Sequence, residues 1–328
     1  MGLSFNQMPK TKFNIFSIIT WLNVLVGLLL FLWQRQAGNI PYSVQLGFFL
    51  ILVGATGIPH GALDHIIAKN NREDVSAFNI QQFLRKYLLA IIAYSICWIY
   101  FPSISLLIFL LISAWHFGET DLVATSGNSF WDSFGRMICG IFILTIILLT
   151  HKEETLSVVQ RITKGQEQTL LIWSFFAEHK WTTITSTGTL LSIFLTTSIL
   201  RKDQSFQLIS SLNLIIILFL CSQLPLLVSF ALYFGGWHAI RSFEITFSFL
   251  KNQQEESASD PLTMWKNALP MTFLAAFGFI FMAYIWTGLG IKTDPIPALF
   301  IFLSIITLPH LDVMDKLIRS QKHTCIHD

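Results

Sequence analysis

Apolar runs of near membrane length follow one another along this 328-residue chain. About 20 apolar residues form a helix that crosses the ~30 Å hydrocarbon layer of a bilayer. Within lipid, such a helix satisfies its own backbone hydrogen bonds. We therefore predict an all-α fold, a polytopic integral membrane bundle of about eight to ten transmembrane helices, forming a single domain over residues 1–328. The candidate spans are 13–33, 43–64, 84–101, 103–118, 131–150, 183–200, 207–224, 226–250, 267–290 and 296–314.

Composition also indicates lipid as the solvent. Only 12% of the residues are charged and 53% are hydrophobic, with a mean hydropathy of +0.60, whereas soluble domains carry about 25% charged residues. The net charge of +2 and the lack of a basic tract give no reason to expect nucleic acid as a partner. The scattered cysteines favour small core side chains over disulfides or a metal box. They are Cys97, Cys139, Cys221 and Cys325.

Polar segments and prolines divide the spans. The longest polar segment is a loop of about residues 151–182, in which we predict a short surface helix around Leu170–Phe176. Pro102 and Pro225 predict turns between neighbouring spans, because proline interrupts a helix. Lys10 and Lys12 precede the first span, which is long for a signal-peptide core and is interpreted as a retained helix.

The distribution of basic residues predicts the orientation of the chain. With ten spans and the N-terminus inside, 14 of the 21 basic residues fall at inner ends, 6 fall at outer ends, and Arg241 lies within a span. This bias favours cytoplasmic N- and C-termini. His60, His116, His238 and His310 then all lie on spans that run from outside to inside, at similar depth in the inner half of the bilayer.

These four histidines lie inside or at the edge of apolar runs, three of them beside acidic residues. Ionisable side chains at membrane depth are costly and usually functional. Neutral imidazole is a metal ligand that tolerates apolar surroundings, so we predict one metal held by histidines from four segments. The segments are PHGALDH (59–65), WHFGETD (115–121), GGWHAIR (235–241) and PHLDVMD (309–315).

Charged side chains near the histidines are predicted to support the ligands. Asp64 is four residues after His60 and shares its helix face, so it would orient His60 or another ligand; alternatively, the two residues only satisfy each other. Glu119, three residues after His116, has the same predicted role or is an ordinary loop acid. Arg241 requires a buried carboxylate partner, with Asp64 and Glu119 as the candidates.

Two acids near these motifs receive other predictions. Asp121 is expected to reach the membrane interface. Asp315 is expected to face solvent together with Lys316. Both expectations come from the position of these acids at the ends of apolar runs.

Together and in this order, the four motifs resemble the Brp/Blh family of bacterial integral-membrane β-carotene 15,15′-dioxygenases. The resemblance covers nearly the whole chain, including its length and its many spans. It implies Fe(II)-dependent cleavage of the central double bond of β-carotene by O₂. The products would be two molecules of retinal, made in the bacterial inner membrane and linked functionally to a rhodopsin.

The resemblance also implies site residues. His60, His116 and His238 match the iron ligands of the family and would be catalytic. The family pattern has a further histidine where this chain has Ser242. A serine hydroxyl is a poor iron ligand, so we predict His310 as the fourth ligand.

A bilayer-dissolved polyene can enter a membrane-embedded site without crossing water. Aromatic residues next to the motifs are therefore predicted to line a tunnel for the substrate, although plain bundle packing explains the same residues. The predicted substrate-binding residues are Trp115, Phe117, Tyr233 and Trp237.

Two other classes of function remain open on the sequence. A proton-coupled membrane transporter would use His60, Asp64, Glu119 and Arg241 as a relay and would need no metal. A di-iron membrane desaturase or hydroxylase would use the His-x4-His spacing of His60 and His65, but no His-x-x-His-His box is present.

Overall fold

The computed structural model describes residues 15–71, 78–122, 130–200, 208–288 and 296–324. Every regular element in these ranges is helical, which confirms the predicted all-α fold. Two π-helical segments interrupt the α-helices, at Val53–Gly57 and Phe234–His238. The helices α1 to α15 are Ile15–Ala37, Tyr42–Leu52, Ile58–Gly61, Asp64–Asn70, Ile80–Tyr100, Pro102–Asp121, Phe130–Leu149, Lys152–Ile162, Glu167–Glu178, Lys180–Leu200, Leu208–Gln223, Leu226–Tyr233, Ala239–Asn252, Pro261–Gly288 and Ile296–Thr324.

Eight helical stretches of the described chain are long and apolar enough to cross a membrane, which is the lower end of the predicted range. Two predicted spans differ from these eight. The span 207–224 corresponds to α11, which has only 16 residues. The span 226–250 corresponds to α12 and α13, which the second π segment separates. The eight stretches are Ile15–Ala37, Tyr42–Asn70, Ile80–Tyr100, Pro102–Asp121, Phe130–Leu149, Lys180–Leu200, Pro261–Tyr284 and Ile296–Ser320.

Both predicted proline turns are confirmed. Helix α5 ends at Tyr100 and α6 begins at Pro102, which occupies the first turn of the new helix. Pro225 likewise precedes α12. Proline suits a helix start because its missing N–H would have no intrahelical acceptor there.

The polar segment 151–182 is more regular than predicted. The predicted helix around Leu170–Phe176 is present as α9, which has no buried residues. Helix α8 precedes it and was not predicted. The hydroxyl groups of Ser103 and Thr169 lie 2.5 Å apart and join α9 to the start of α6.

The outer surface of the bundle is strongly apolar. The side chains of Leu29, Leu89 and Phe277 are 57%, 59% and 66% exposed, respectively, on α1, α5 and α14. Large apolar side chains displayed on several helices would be costly in water. This surface supports a lipid environment, as the composition predicted.

Helix α12 lies at the centre of the bundle. Seven of its eight residues are buried, and a helix that is apolar all round belongs in an interior. It packs against α2, α7 and α11. Because α12 leads directly into the second π segment, it places His238 at the centre of the molecule.

Helices α6 and α7 approach each other at backbone distance. A Cβ atom on Gly118 would collide with the carbonyl group of Arg136, and one on Gly140 would collide with the carbonyl group of Ala114. Small residues permit such close packing of membrane helices. This contact fixes the position of α6, which carries His116.

Candidate metal centre

The four predicted histidines converge on one point of the interior. The ring centroids of His60 and His310 are 4.8 Å apart, and those of His116 and His238 are 4.6 Å apart. The ring of His116 lies 5.0 Å from that of His310 and 6.3 Å from that of His60. Ligand atoms of His60, His116 and His310 all lie within 4.8 Å of one another. We call these four residues the histidine cluster.

Each histidine of the cluster comes from a different part of the chain. His60 lies on the one-turn helix α3, His116 near the end of α6, His238 at the end of the second π segment and His310 on α15. All four are buried. The convergence follows from tertiary packing, since the four segments are far apart in sequence.

The free ring nitrogens of the cluster suit a metal ion. Among the described residues, Nε2 of His60 and of His310 and both ring nitrogens of His116 and His238 have no hydrogen-bond partner. Burying polar atoms without partners is costly. A metal ion would satisfy nitrogens from several rings at once, and imidazole is a common ligand for iron, zinc, copper and nickel.

The Nδ1 atoms of His60 and His310 point away from the cluster and form hydrogen bonds. Nδ1 of His60 hydrogen-bonds the carbonyl oxygen of Gly57. Nδ1 of His310 lies 2.8 Å from Oδ1 of Asp64. A hydrogen bond at Nδ1 places the proton there and leaves the Nε2 lone pair free, which is the usual arrangement of metal-binding histidines.

The two π segments hold His60 and His238 in place. A π turn widens the helix and leaves backbone groups without their usual partners. Side chains from other segments donate hydrogen bonds to these carbonyl groups. Thr56 Oγ1 donates to Gly235 O (2.8 Å), Asn23 Nδ2 to Gly236 O (3.1 Å) and Trp265 Nε1 to Ala55 O (2.7 Å).

The predicted supporting residues differ in their contacts. Asp64 bonds His310 and not His60, so it orients a histidine on another helix. Glu119 is fully buried and has Arg136 Nη1 at 3.7 Å, which places it in an ion pair between α6 and α7. Arg241 pairs with Glu244 at 2.7 Å, so neither Asp64 nor Glu119 is the partner that we expected.

Asp121 and Asp315 both have partners that the sequence did not predict. Asp121 is half-buried and accepts hydrogen bonds from Tyr233 Oη (2.9 Å) and Trp237 Nε1 (2.7 Å). It is the last residue of the membrane-length helix Pro102–Asp121, so its position at the interface stays a prediction. Asp315 pairs with Arg319, one turn further along α15, and not with Lys316. The pattern of apolar residues does not specify these partners, because they depend on which helices are neighbours and on the spacing along α15.

A large apolar cavity adjoins the histidine cluster. Its volume is about 1370 Å³, and His60, His116 and His310 form part of its wall. The wall extends along α6 to Ser103 and along α15 to Phe300, which is about 15–20 Å from the histidines at 1.5 Å per residue. Exposed side chains of α6 and α14 also line it, so the cavity opens sideways between helices.

Only one of the four predicted substrate-binding aromatics lines this cavity. Phe117 does so, and its ring contacts the rings of Tyr233 and His238 at 4.9 and 4.8 Å. Trp115, Tyr233 and Trp237 are not part of the cavity wall. The hydrogen bonds of Tyr233, at the end of α12, and of Trp237, in the second π segment, to Asp121 instead join these two elements to the end of α6.

Sequence reasoning did not identify Tyr87. Its hydroxyl group donates to Oδ2 of Asp64 at 3.0 Å, and Tyr87, Asp64 and His310 all line the cavity. No local motif marks Tyr87, because it lies 23 residues from Asp64 and on another helix. Asn23 and Trp265 were missed for the same reason.

The fold and the site together define a polytopic helical membrane protein with a buried histidine cluster at the wall of an apolar cavity. The sequence model of the family described as beta-carotene 15,15′-dioxygenase matches residues 51–318. The chain therefore belongs to the beta-carotene 15,15′-dioxygenase family. It is also 29% identical, over 277 residues, to a beta-carotene 15,15′-dioxygenase of uncultured marine bacterium 66A03, covering 82% of this chain and 93% of that protein. No solved structure matches the chain.

Proposed function

We propose that this protein cleaves the central double bond of β-carotene with O₂ and releases two molecules of retinal. One carbon–carbon double bond is broken and each oxygen atom of O₂ forms one aldehyde, so no further reductant is needed. The observation that carries the proposal is the convergence of four buried imidazoles at the wall of a large apolar cavity. Family membership supports the same reaction.

In this proposal His60, His116, His238 and His310 hold a single Fe(II) ion. Their free nitrogens form a neutral donor set, which leaves the bound ion cationic and suits iron. Bound Fe(II) would supply the activation of O₂ at an open coordination position. Asp64 and the carbonyl group of Gly57 orient two of the rings, so the ligands are arranged before the metal binds.

The cavity is the proposed binding site for the substrate. Its wall is almost entirely apolar, with Phe117 and the histidines at one end. A polyene can enter it from the bilayer between helices and remain out of water. The surrounding side chains exclude water from the reacting double bond and thereby protect it from side reactions.

The two rival functions have weaker support. A proton relay requires His60, Asp64, Glu119 and Arg241 to form a chain, but Glu119 pairs with Arg136 and Arg241 pairs with Glu244. The hypothesis of a di-iron desaturase or hydroxylase requires two groups of metal ligands. Among the described residues, one group of histidine, cysteine or carboxylate side chains has ligand atoms within 4.8 Å of one another, that of His60, His116 and His310. The ring of His238 adjoins this same group, 4.6 Å from that of His116, so no second metal site is formed among these residues.

Expression in a carotene-accumulating bacterial host tests the proposal. We expect loss of the carotene colour, formation of retinal, and about one iron per purified chain, in line with a single cluster. His60→Ala and His116→Ala should each abolish turnover, because each removes a ligand. Unchanged carotene with confirmed membrane expression of the wild-type protein would refute the activity.

We further propose a location in the bacterial inner membrane with both termini in the cytoplasm. The bias of Lys and Arg toward the inner ends of the spans supports it. Fusion of a reporter to the C-terminus should give activity in the cytoplasm only, and a periplasmic reporter signal would contradict this topology. Retinal made here is suited to supply a rhodopsin in the same membrane.

A further inference from the structure

A short hydrogen-bonded chain runs from the cavity wall to the histidine cluster. Tyr87 Oη lies 3.0 Å from Oδ2 of Asp64, and Oδ1 of the same carboxylate lies 2.8 Å from Nδ1 of His310. The three residues come from α5, α4 and α15. In the part of the chain that the structure describes, the Tyr87 hydroxyl group donates its hydrogen bond to Asp64 alone.

The direction of each hydrogen bond follows from the chemistry of the groups. An ionised carboxylate only accepts hydrogen bonds, so both Tyr87 and His310 donate to Asp64. The proton of His310 is then on Nδ1, and its Nε2, which has no partner among the described residues, carries the lone pair. Tyr87 therefore occupies one carboxylate oxygen and leaves the other to bind His310.

Because Asp64 is buried, each of its two carboxylate oxygens needs its own hydrogen-bond donor. Asp64 is only 3% exposed, and a buried carboxylate oxygen without a donor is costly. Without the Tyr87 hydroxyl group, Oδ2 of Asp64 would have no hydrogen-bond donor. The carboxylate would then be free to rotate, and Nδ1 of His310 could donate to either oxygen. The ring of His310 would then lose its fixed orientation toward His60, whose ring it meets at 4.8 Å.

We propose that Tyr87 is a positioning residue that acts through Asp64 to orient His310 for metal binding. The inference rests on the proposed function, since it takes the histidine cluster as the iron site. Its support is the continuous geometry from α5 to the cluster and the burial of the carboxylate between them. Loss of a group that hydrogen-bonds a metal ligand directly, as Asp64 would, typically changes metal affinity or activity by about 10–100-fold. Tyr87 is one hydrogen bond further from the metal, so its effect should lie at the lower end of this range.

Tyr87→Phe is the direct test, with Tyr94→Phe as its control. Phenylalanine retains the contact of residue 87 with Phe83, whose ring lies 5.6 Å away, and removes only the hydroxyl group. Tyr94 lies on the same helix, is buried, and donates to the carbonyl oxygen of Ser105 at 2.8 Å. It does not line the cavity, so its variant controls for loss of a tyrosine hydrogen bond on α5.

The measurements are Fe(II) affinity of the purified apoprotein under anaerobic conditions, the visible spectrum of the Co(II)-loaded protein, and carotene turnover. For Tyr87→Phe we expect about tenfold weaker Fe(II) binding, a changed Co(II) spectrum, and a lower kcat with little change in KM. Tyr94→Phe should leave Fe(II) affinity and the Co(II) spectrum unchanged. Thermal unfolding of both variants shows whether each protein is folded.

A double-mutant cycle shows whether Tyr87 acts through Asp64. If it does, Tyr87→Phe combined with Asp64→Asn will bind Fe(II) no more weakly than Asp64→Asn alone, since the two changes break one chain. Losses of affinity that multiply would place the effect of Tyr87 elsewhere and overturn the proposal. Loss of cooperative unfolding in Tyr87→Phe would indicate a general structural role and would also overturn it.

The outcomes distinguish this inference from the proposed function. Wild-type protein that binds Fe(II) and cleaves carotene, together with an unaffected Tyr87→Phe variant, would refute only the role of Tyr87. Wild-type protein that binds no Fe(II) would refute the metal centre itself, and the role of Tyr87 with it.

Discussion

Each histidine of the cluster is held in its own way. His60 and His310 are oriented by acceptors at Nδ1, a backbone carbonyl group and a carboxylate, respectively. No described residue hydrogen-bonds the ring of His116 or His238; packing holds them, with the ring of Phe117 4.8 Å from that of His238. The four positions therefore differ in how a substitution should act.

His310 is the proposed fourth ligand, and Ser242 stands where the family pattern has a histidine, so variants at these two positions should differ clearly. His310→Ala removes a nitrogen donor and leaves Asp64 without one of its partners, so bound iron should fall by about tenfold or more. Ser242 is buried and its hydroxyl has no partner among the described residues. Ser242→Ala should therefore retain iron and stay within about twofold of wild-type activity.

Metal analysis of both purified variants, at matched protein concentration, checks this pair. Full iron occupancy in His310→Ala would remove His310 from the ligand set. An inactive Ser242→Ala protein with normal folding would show that the serine has a role that its geometry does not explain.

Sequence reasoning at this scale succeeded where a residue's chemistry leaves few options. Imidazoles at membrane depth require a partner, and that requirement identified all four members of the cluster. It failed for hydrogen-bond partners, because these depend on which helices are neighbours. It also missed the partner of Arg241, although Glu244 lies only three residues later on the same helix. This local spacing could have indicated the pair, whereas we considered only Asp64 and Glu119.

Among the helices, the important features are the irregular ones. The first π segment is followed by Pro59 and the one-turn helix α3, so the chain near His60 does not continue as a regular helix. Gly57, Pro59 and Gly61 in the sequence indicate a loosened helix there. The π geometry itself was not predictable, because Thr56, Asn23 and Trp265 stabilise it through contacts between distant segments.

The close contact of α6 and α7 gives a prediction for Gly140. A Cβ at this position would collide with the backbone carbonyl of Ala114, so Gly140→Ala should push α6 away from α7. Overpacking of this kind costs about 1–3 kcal/mol. Because α6 carries His116, the variant should lose both thermal stability and iron.

Gly47→Ala is the matched control for Gly140→Ala. Gly47 lies inside α2, and a Cβ there would meet no atom within 4 Å. Alanine favours the helix over glycine by up to about 1 kcal/mol, so this variant should be as stable as the wild-type protein or slightly more stable. Equal unfolding temperatures for the two variants would contradict the close approach of α6 and α7.

On the scale of the whole molecule, the convergence of the four histidine segments was predicted correctly. Four histidines on spans of the same predicted direction were expected at one depth. Their rings do converge, although the span predicted for His238 is not one of the eight membrane-length helices of the described chain and the direction of the spans stays a prediction. The cavity could not be predicted in this way. Residues of α5, α6, α14 and α15 line it together, and such a shape is set by how helices of different length and tilt pack, which hydropathy does not record.

The cavity predicts a class of variant that impairs substrate binding and spares the metal. Ala275 on α14 lines the cavity wall, and its small side chain leaves room that a larger one would fill. Ala275→Phe should therefore raise KM for β-carotene or abolish its cleavage, because the polyene and the new ring compete for one space. Iron content should not change, since the histidines are on other helices.

Ile280→Phe provides the comparison on the same helix. Ile280 is 64% exposed and is not part of the cavity wall, so a phenylalanine there adds bulk only on the lipid side. Turnover and iron content of this variant should match those of the wild-type protein. If Ala275→Phe cleaves β-carotene with wild-type KM while Ile280→Phe behaves normally, the polyene does not occupy this part of the cavity. The substrate would then have to reach the histidines by a route that does not pass α14.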